Sequence, residues 1–337
     1  MIDWALRTSL PDGPALSEAA SDLRQCAPAQ NRVMAIVLAG NVFTAAIRAV
    51  VFPILAGIPT ILKASSRDSS LPAALSDAWA SVWPEARDAL QCQSPPRGHP
   101  ELLSLLLSEA DIVSVYGSDE TIRTMRALVR ETTPFISHGH GLGLLYVPAS
   151  ALQNQASAQA TAEAIALDVI AYDQRGCLSP HSVLIEAANS TPAKAFALET
   201  LPEAMDKLSL RFPKGTMPES VLASQLQWRG VAAALGELQE HNAFAISFED
   251  DGVLRPSPGW RNIQTLTVRG RPQAIEKILP YGHHLKALGV AGDERARAEM
   301  TAALPSPLNP RVCRAGEMQT PPLASLQDGL SPWHALT

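Results

Sequence analysis

The most constraining feature of this sequence is a strand–helix–strand pattern near its start. Residues 33–38 form a continuous β-branched and aliphatic run, which is typical of a strand buried on both faces. Residues 44–56 favour a helix, which Gly57 can cap and which Pro59 prevents from continuing. Residues 60–62 are apolar again and predict a second strand. Because strands joined by a helical crossover lie parallel, the pattern predicts an α/β fold with a parallel sheet.

The same alternation continues along much of the chain. The sequence predicts helices at 71–82, 101–108, 121–129, 156–171, 193–208 and 219–239, and strands at 111–116, 134–137, 182–186, 243–248 and 263–268. A chain of 337 residues exceeds the usual size of one domain. We therefore predict a nucleotide-cofactor-binding domain at 1–150, a catalytic domain at 151–300 and an irregular, proline-rich tail at 301–337.

Composition and charge exclude several classes of protein. Hydrophobic residues make up 46% of the chain and charged residues 18%, which is typical of a globular enzyme rather than a disordered chain. The net charge of -6, without a basic run interleaved with aromatic residues, argues against nucleic-acid binding. Polar residues and prolines interrupt the most apolar stretch, and the first residues do not resemble a signal peptide, so we expect no membrane span.

The four cysteines lie far apart in the sequence, at Cys26, Cys92, Cys177 and Cys313. Structural zinc sites usually draw their ligands from closely spaced pairs, and small disulfide-stabilised proteins carry more cysteines for their length. The pattern therefore predicts neither a metal site nor a disulfide framework. Reduced thiols in a chain of this size indicate a cytoplasmic protein.

Cys177 lies in a polar, turn-rich loop between a predicted helix and a predicted strand. A thiol displayed at such a junction is placed as a nucleophile would be, and the neighbouring Arg175 favours the thiolate. Asp168 and Asp173 are close enough in sequence to orient Arg175, or to end the helix and form the turn. The alternative for Cys177 is a small buried hydrophobic side chain, which is the commoner fate of a lone cysteine.

Three predicted turns follow strands, at the sheet edge where parallel α/β proteins bind their ligands. Asn41 follows the first strand, and its amide either donates to an oxyanion or serves as an ordinary turn residue. The other two turns, at 63–67 and 117–118, favour a nucleotide-binding site over the alternative of a solvated surface loop. Their candidate cofactor-binding residues are Lys63, Ser65, Ser66, Arg67, Gly117 and Ser118. His138 and His140 are acid/base candidates, with a structural histidine as the commoner alternative.

Several motifs carry a family resemblance. They are VLAGNVF at 37–43, LAGIPTILKASSRD at 55–68, VYGSDETI at 115–122, SHGH at 137–140, DQRGCLSPH at 173–181 and GEMQTPP at 316–322. On these residues the chain resembles the aldehyde dehydrogenase superfamily, and more closely the fatty-acid or acyl-CoA reductases of the bacterial luminescence type. The cysteine loop is the most specific part of the resemblance. The resemblance implies an aldehyde-dehydrogenase-like fold, with a Rossmann-type cofactor domain and an α/β catalytic domain.

The resemblance also implies roles for the candidate residues. Cys177 takes the acyl group from a thioester, and Asn41 with the backbone amide of Cys177 forms the oxyanion hole. Lys63 and the serines beside it hold the adenosine ribose, the Gly117 turn lies against the pyrophosphate, and Arg67 favours a 2′-phosphate. The cofactor implied is NADPH, with NADH possible.

The sequence departs from the superfamily pattern in three places. Residues 138–143 contain no carboxylate, although hydrolytic aldehyde dehydrogenases carry a glutamate general base there. Without that base, the site favours acyl exchange with a thiol over attack by water. The glutamate that holds the nicotinamide ribose has no clear equivalent around residues 255–259, and the region before the first strand is shorter than in the luminescence reductases.

We predict an enzyme that reduces an acyl thioester to an aldehyde with NADPH, through a cysteine-bound acyl-enzyme. The acyl donor is acyl-CoA or an acyl-carrier protein, and a homo-oligomer is expected. The alternatives among enzymes are an oxidative aldehyde dehydrogenase and an acyl-phosphate reductase. An alternative of another class is a catalytically silent, acyl-carrier-binding subunit of a biosynthetic complex, which the short N-terminal region and the missing ribose glutamate favour.

Overall fold

The computed structural model describes residues 32–42, 45–65, 69–94, 100–306, 308–323, 325–327 and 329. Contacts divide the chain into two units, and each contains its own sheet. The first unit comprises residues 2–140 together with 322–337, and the second unit comprises residues 141–321. None of the helices in the described ranges is both long enough and apolar enough to cross a membrane.

The first unit contains a five-stranded parallel sheet. Its strands are β1 (Met34–Val37), β2 (Thr60–Lys63), β3 (Leu90–Gln93), β4 (Ile112–Tyr116) and β5 (Phe135–His138), and its helices are α1 (Ala45–Leu55), α2 (Ser70–Val82), α3 (Pro100–Glu109) and α4 (Asp119–Arg126). The strand order β3-β2-β1-β4-β5 is that of a doubly wound nucleotide-binding sheet. The predicted strand–helix–strand pattern is present as β1, α1 and β2, with each boundary within one residue of the prediction.

Both faces of the first sheet are covered, which explains the continuous apolar run in β1. Every residue of β1 is buried. Met34 and Ile36 pack on one face together with Phe52 of α1, whereas Ala35 and Val37 pack on the opposite face. A strand buried on both faces needs apolar side chains at successive positions, so the sequence signal was strong here.

The second unit contains a seven-stranded sheet in the order β12-β11-β6-β7-β10-β9-β8. Its strands are β6 (Leu142–Val147), β7 (Pro180–Glu186), β8 (Glu237–Glu240), β9 (Ala245–Glu249), β10 (Asn262–Val268), β11 (Leu285–Val290) and β12 (Arg311–Arg314). Its helices are α5 (Gln155–Ile170), α6 (Ser190–Ala195), α7 (Leu201–Arg211), α8 (Leu222–Leu235), α9 (Arg271–Ile278) and α10 (Glu294–Ala303). All neighbouring strands are parallel except β8, which runs antiparallel to β9 at the sheet edge.

The structure differs from the sequence prediction in several elements. The predicted helix at 219–239 is wrong beyond Leu235, because Gly236 has an extended backbone and the following residues pair with β9 as the strand β8. The strands β3, β6, β11 and β12 and the helices α9 and α10 were not predicted. Within the tail predicted to be irregular, β12 pairs with β11.

The division between the two units falls after His140, whereas the sequence placed a domain boundary near residue 150. β5 is the last strand of the first sheet, and β6 begins two residues into the second unit, between β7 and β11. The described residues from Pro322 onward belong to the first unit, where Leu323 packs into the core beside α1 and the Arg48 side chain donates to the Pro322 carbonyl over 2.7 Å.

Candidate active site

The candidate nucleophile Cys177 lies in the loop between α5 and β7. α5 begins with a capping box in which the side chains of Asn154 and Ser157 satisfy each other's backbone N–H groups. The Ser179 N–H donates to the Gly176 carbonyl over 3.0 Å, which closes a tight turn around Cys177. Cys177 itself is exposed. The loop therefore displays this cysteine, and the alternative of a buried hydrophobic side chain does not hold.

The residues just before this turn have an unusual backbone. Tyr172, Asp173 and Gln174 all have positive φ angles, of 55°, 53° and 59°. A non-glycine residue in the left-handed region costs about 1–2 kcal/mol, so three in succession need support from their surroundings. All three residues are buried, so their neighbours are in a position to supply that support.

A second left-handed run provides this support. Gly259, Trp260 and Arg261 have φ angles of 77°, 57° and 62°. The Trp260 N–H donates to the Asp173 carbonyl over 3.1 Å, and Nε of the fully buried Arg261 donates to Asp173 Oδ1 over 2.6 Å. The Arg175 guanidinium lies over the Trp260 ring, 5.2 Å from its centroid. Two left-handed runs therefore brace each other directly before the candidate nucleophile.

Side chains also close the base of the cysteine loop. Gln174 Nε2 donates to the Pro180 carbonyl over 2.5 Å. His181 Nδ1 lies 2.7 Å from the Ser257 carbonyl oxygen, and because a carbonyl only accepts, Nδ1 carries the hydrogen. In the neutral ring, Nε2 of His181 is then the acceptor nitrogen. The loop is thus fixed at both of its ends.

Asp173 has a different partner from the one that the sequence suggested. Its carboxylate pairs with Arg261, and its Oδ2 accepts the Gly215 N–H over 3.1 Å. Of the two alternatives for Asp173, the structure agrees with a residue of the turn. Burial lowers the pKa of Arg261, and the Asp173 carboxylate opposes that effect. Sequence reasoning missed this pair because Asp173 and Arg261 are separated by 88 residues.

Asp168 is fully buried in α5 and anchors the tail motif at 316–322. Its carboxylate accepts the Gly316 N–H over 2.6 Å and the Met318 N–H over 3.0 Å. Burial raises the pKa of Asp168 to about 7, although these N–H groups act in the opposite direction. The role of Asp168 is therefore to fasten the tail motif to the helix that leads to Cys177.

In the first unit, the strand order reverses between β1 and β4. Ligands of open α/β sheets bind outside the carboxyl ends of the strands at such a reversal. Asn41 follows β1, Lys63 ends β2 and Gly117 follows β4, so the fold brings three of the predicted residues to this edge. Asn41 is exposed, whereas Lys63 is half-buried and burial lowers its pKa.

The other predicted cofactor residues are less completely described. Ser65 is half-buried just beyond β2, whereas Ser66 and Arg67 lie outside the described residues. Ser118 Oγ accepts the Thr121 N–H over 3.2 Å, so this serine caps α4. Its hydroxyl is thus already used by the helix that was predicted to face the pyrophosphate.

The start of α4 is less suited to phosphate than its sequence suggested. Asp119 and Glu120 lie in its first turn, and their carboxylates compete with a phosphate for the positive end of the helix. A Cβ atom at Gly117 would lie 2.8 Å from the Thr121 methyl carbon, so the glycine is required by packing within the unit. The assignment of Lys63 to the cofactor stays a prediction.

The two acid/base candidates also lie in the first unit. His138 ends β5, and its ring stacks on Tyr116 with 4.2 Å between the ring centroids. The backbone N–H of His140 donates to Asp119 Oδ1 over 3.3 Å. Among the residues that the structure describes, no group of three or more histidine, cysteine, aspartate or glutamate side chains is arranged to hold a metal ion. Cys177 lies in the second unit, apart in sequence from all of these candidates.

In a comparison with known families, residues 27–337 match the family model described as acyl-CoA reductase (LuxC). The chain belongs to the acyl-CoA reductase (LuxC) family. The resemblance found in the sequence motifs is thereby confirmed, and this acyl-CoA reductase family member is an oxidoreductase. Among curated proteins, no sequence matches the chain.

Solved structures with a similar fold are aldehyde dehydrogenases. The P. syringae indole-3-acetaldehyde dehydrogenase AldA in complex with NAD+ has a TM-score of 0.68 and 15% identity, over 96% of this chain and 73% of that one. KauB from Pseudomonas aeruginosa has a TM-score of 0.68 and 15% identity, over 90% and 66%. The NAD-dependent benzaldehyde dehydrogenase from Corynebacterium glutamicum has a TM-score of 0.60 and 14% identity, over 86% and 66%. This acyl-CoA reductase family chain thus has the predicted aldehyde-dehydrogenase-like fold and spans about two thirds of the length of the last two proteins.

Proposed function

We propose that this protein reduces an acyl thioester to an aldehyde, with Cys177 as the residue that carries the acyl group. The observation that supports this most strongly is the loop between α5 and β7, which holds an exposed cysteine on a turn fixed at both ends. Membership of the acyl-CoA reductase family supports the thioester as substrate. Covalent catalysis by a thiol divides a difficult reduction into two easier steps.

In the first step, the Cys177 thiolate attacks the thioester carbonyl carbon and forms a tetrahedral oxyanion. Collapse of this species breaks the carbon–sulfur bond to the leaving thiolate, which is protonated, and leaves a thioester on Cys177. One donor to a tetrahedral oxyanion typically contributes about 3 kcal/mol in enzymes that transfer acyl groups. The roles of Asn41 and the backbone N–H of Cys177 as such donors stay predictions, and the acylation rate of Asn41→Ala tests the first.

NADPH, when bound, supplies the hydride that reduces the acyl carbon, after which the thiolate of Cys177 leaves and the aldehyde is released. The carboxyl edge of the first sheet fits such a cofactor, because the strand-order reversal lies beside the half-buried ammonium of Lys63 and the Ser65 hydroxyl. We propose that these two groups bind the adenosine ribose. The preference for NADPH over NADH rests on Arg67 and remains a prediction.

The residues at the end of β5 favour reduction over oxidation to an acid. Oxidation would require a water molecule to be activated against the cysteine thioester, which is general-base chemistry. Residues 138–143 offer two histidines and no carboxylate, and the His138 ring is stacked on Tyr116. We propose that the acyl-enzyme persists long enough to be reduced, with His138 or His140 as the candidate proton donor to the leaving group.

Intact-mass spectrometry tests the acyl-enzyme directly. The wild-type protein is incubated with a long-chain acyl-CoA in the absence of NADPH, and we expect one acyl adduct that hydroxylamine removes. Cys177→Ala is expected to show no adduct, whereas the control Cys92→Ala should be acylated like the wild type. An adduct that persists in Cys177→Ala would exclude Cys177 as the nucleophile.

A turnover assay distinguishes reduction from the alternative functions. Oxidation of NADPH and NADH is followed with acyl-CoA thioesters of different lengths and with acyl-carrier-protein thioesters, together with release of the thiol. A reductase oxidises the cofactor and releases thiol in equal amounts. Acylation of Cys177 with no cofactor oxidation and no cofactor binding would favour a silent acyl-binding subunit.

A further inference from the structure

We infer that the buried Asp173–Arg261 ion pair positions Cys177 for acylation by fixing the left-handed backbone that leads into the cysteine turn. This inference rests on the proposed function, because the acylation of Cys177 is the step that it serves. Neither Asp173 nor Arg261 is proposed to contact a reacting atom. Both are therefore positioning residues that act through the loop.

The ion pair is held from several directions. Asp173 Oδ1 accepts from Arg261 Nε, and its Oδ2 accepts the Gly215 N–H over 3.1 Å. The other guanidinium nitrogens of Arg261 lie 3.5 Å from Ser209 Oγ and 3.4 Å from the Pro213 carbonyl oxygen. The end of α7 and the segment that follows it thus contact both partners. The pair is an anchor within the second unit rather than a mobile surface contact.

The position of the anchor is transmitted to the cysteine turn through the backbone. The Asp173 carbonyl is fixed by the Trp260 N–H, and the Arg175 N–H donates to the Tyr172 carbonyl over 3.1 Å. The next side chain, Gln174, donates across the loop to the Pro180 carbonyl. The turn that carries the thiol lies between the Asp173 carbonyl and Pro180, both of which are held by hydrogen bonds. A shift of Asp173 is therefore expected to displace the turn.

Stability alone does not account for burying both charges. Replacing a buried ion pair with apolar side chains of similar volume is often neutral or stabilising, so such a pair is weak support for a purely stabilising role. A carboxylate and a guanidinium do fix geometry, because their hydrogen bonds tolerate a narrow range of directions. Orientation of the reacting groups is a large contributor to enzymatic rates, and small displacements are costly.

The main test uses Asp173→Asn, because asparagine also tolerates the left-handed backbone. The change removes the negative charge and one of the two acceptor oxygens, which bind Arg261 and the Gly215 N–H. Asp251→Asn is the matched control, since Asp251 has a φ of 50° and pairs with Lys277 at 3.0 Å. Asp173→Asn leaves Arg261 buried without its counter-charge, which threatens folding. The double variant Asp173→Asn/Arg261→Gln removes both charges and is measured in parallel.

The rate of acylation at saturating acyl-CoA, without NADPH, is compared with the rate of alkylation by iodoacetamide. For both Asp173 variants we expect acylation to slow by about tenfold or more with little change in the half-saturating acyl-CoA concentration, because orientation of the thiol is lost. Alkylation by the small reagent depends on the accessibility and the thiolate fraction of Cys177 and not on its orientation toward a bound acyl-CoA, so its rate should change by about threefold at most. The control variant should match the wild type in both assays.

Hydrogen exchange of the backbone amides at 172–179 separates failure of this inference from failure of the proposed function. We expect faster exchange in both Asp173 variants and wild-type exchange in the control, since the ion pair holds this backbone. Acylation at the wild-type rate in a folded Asp173 variant, or unchanged amide exchange at 172–179, would overturn the inference. If the wild-type protein is not acylated at all, the proposed function fails and the exchange measurement alone decides whether the pair holds the loop.

Discussion

The three cysteines that the structure describes differ in burial, and we expect them to differ in reactivity toward an alkylating reagent. Burial raises the pKa of Cys313 to about 12 and also raises the pKa of the half-buried Cys92, whereas Cys177 is exposed. Because the thiolate is the reactive form, iodoacetamide at about pH 7.5 should modify Cys177 before the other two. Peptide mass mapping after brief treatment measures the order. Modification of Cys313 first would contradict the displayed position of Cys177.

Asp168 should make the stability of the protein depend on pH. Burial raises the pKa of Asp168 to about 7, whereas an aspartate in an unfolded chain titrates near pH 4. Between these values the folded chain retains a proton that the unfolded chain has lost, so the free energy of unfolding falls as the pH rises. A shift of about three pH units corresponds to about 4 kcal/mol across this window.

The variant Asp168→Asn removes this titration. Chemical denaturation of the wild type and of Asp168→Asn is measured from about pH 4 to about pH 8, and the stability advantage of the wild type should shrink as the pH rises. The exposed Asp250 provides a control for the substitution itself, since Asp250→Asn makes the same chemical change at the surface. A constant difference for Asp168→Asn would show that its carboxyl titrates alike in the folded and unfolded chains.

At the level of elements, the left-handed run at 259–261 should tolerate substitution poorly. Gly259 has a φ of 77°, and a Cβ atom there would lie 3.1 Å from the Gln174 carbonyl oxygen. Gly259→Ala should therefore destabilise the protein by about 1–2 kcal/mol and slow the acylation of Cys177. The midpoint of thermal unfolding and the acylation rate measure the two effects. An unchanged midpoint would mean that the run is not constrained in solution.

At Gly230, by contrast with Gly259, replacement by alanine should stabilise the protein. It lies exposed within α8, and a Cβ atom there would meet nothing within 4 Å. Glycine within a helix costs about 0.5–1 kcal/mol relative to alanine, so Gly230→Ala should raise the thermal midpoint. Acylation of Cys177 should stay at the wild-type rate. A lowered midpoint would contradict the helical environment that the structure gives Gly230.

Elements whose signal is local were predictable, and those fixed by distant contacts were not. β1 is buried on both faces, so its apolar run reveals it. β6 was missed because glycines interrupt its pattern, and Gly143 is a glycine because a Cβ atom there would lie 2.4 Å from the Leu178 carbonyl oxygen. The left-handed backbone at 172–174 leaves only a weak signature, since none of its residues is glycine and Asp173 alone among the three is of a type enriched in that conformation.

At the scale of the whole molecule, the sequence motifs identified the family and the fold class, while the tertiary partners of the site residues stayed hidden. The motif around Cys177 led to the acyl-CoA reductase family, which the family model confirms. The contacts that support the motif join Asp173 to Arg261 and Asp168 to Met318, over 88 and 150 residues. A single sequence carries no local trace of such pairs, because each partner looks like an ordinary polar or apolar residue in its own segment.

The division into two units suggests that the two halves of the proposed reaction can be separated by mutation. Lys63 lies in the first unit and Cys177 in the second. If Lys63 binds the cofactor ribose, Lys63→Ala should weaken NADPH binding by about tenfold, the effect of losing one charge-assisted hydrogen bond. Acylation of Cys177 by acyl-CoA alone should remain within about twofold of the wild type, because that step needs no cofactor.

Fluorescence titration of NADPH and intact-mass kinetics measure these two quantities on the same preparations. Lys207→Ala is the control, since Lys207 is 76% exposed and pairs with Glu163 at the surface. Cys177→Ala should show the converse behaviour, with normal NADPH binding and no acylation. Equal loss of both functions in Lys63→Ala would mean that this lysine supports the fold of the protein rather than the cofactor, and unchanged NADPH affinity would remove Lys63 from the cofactor site.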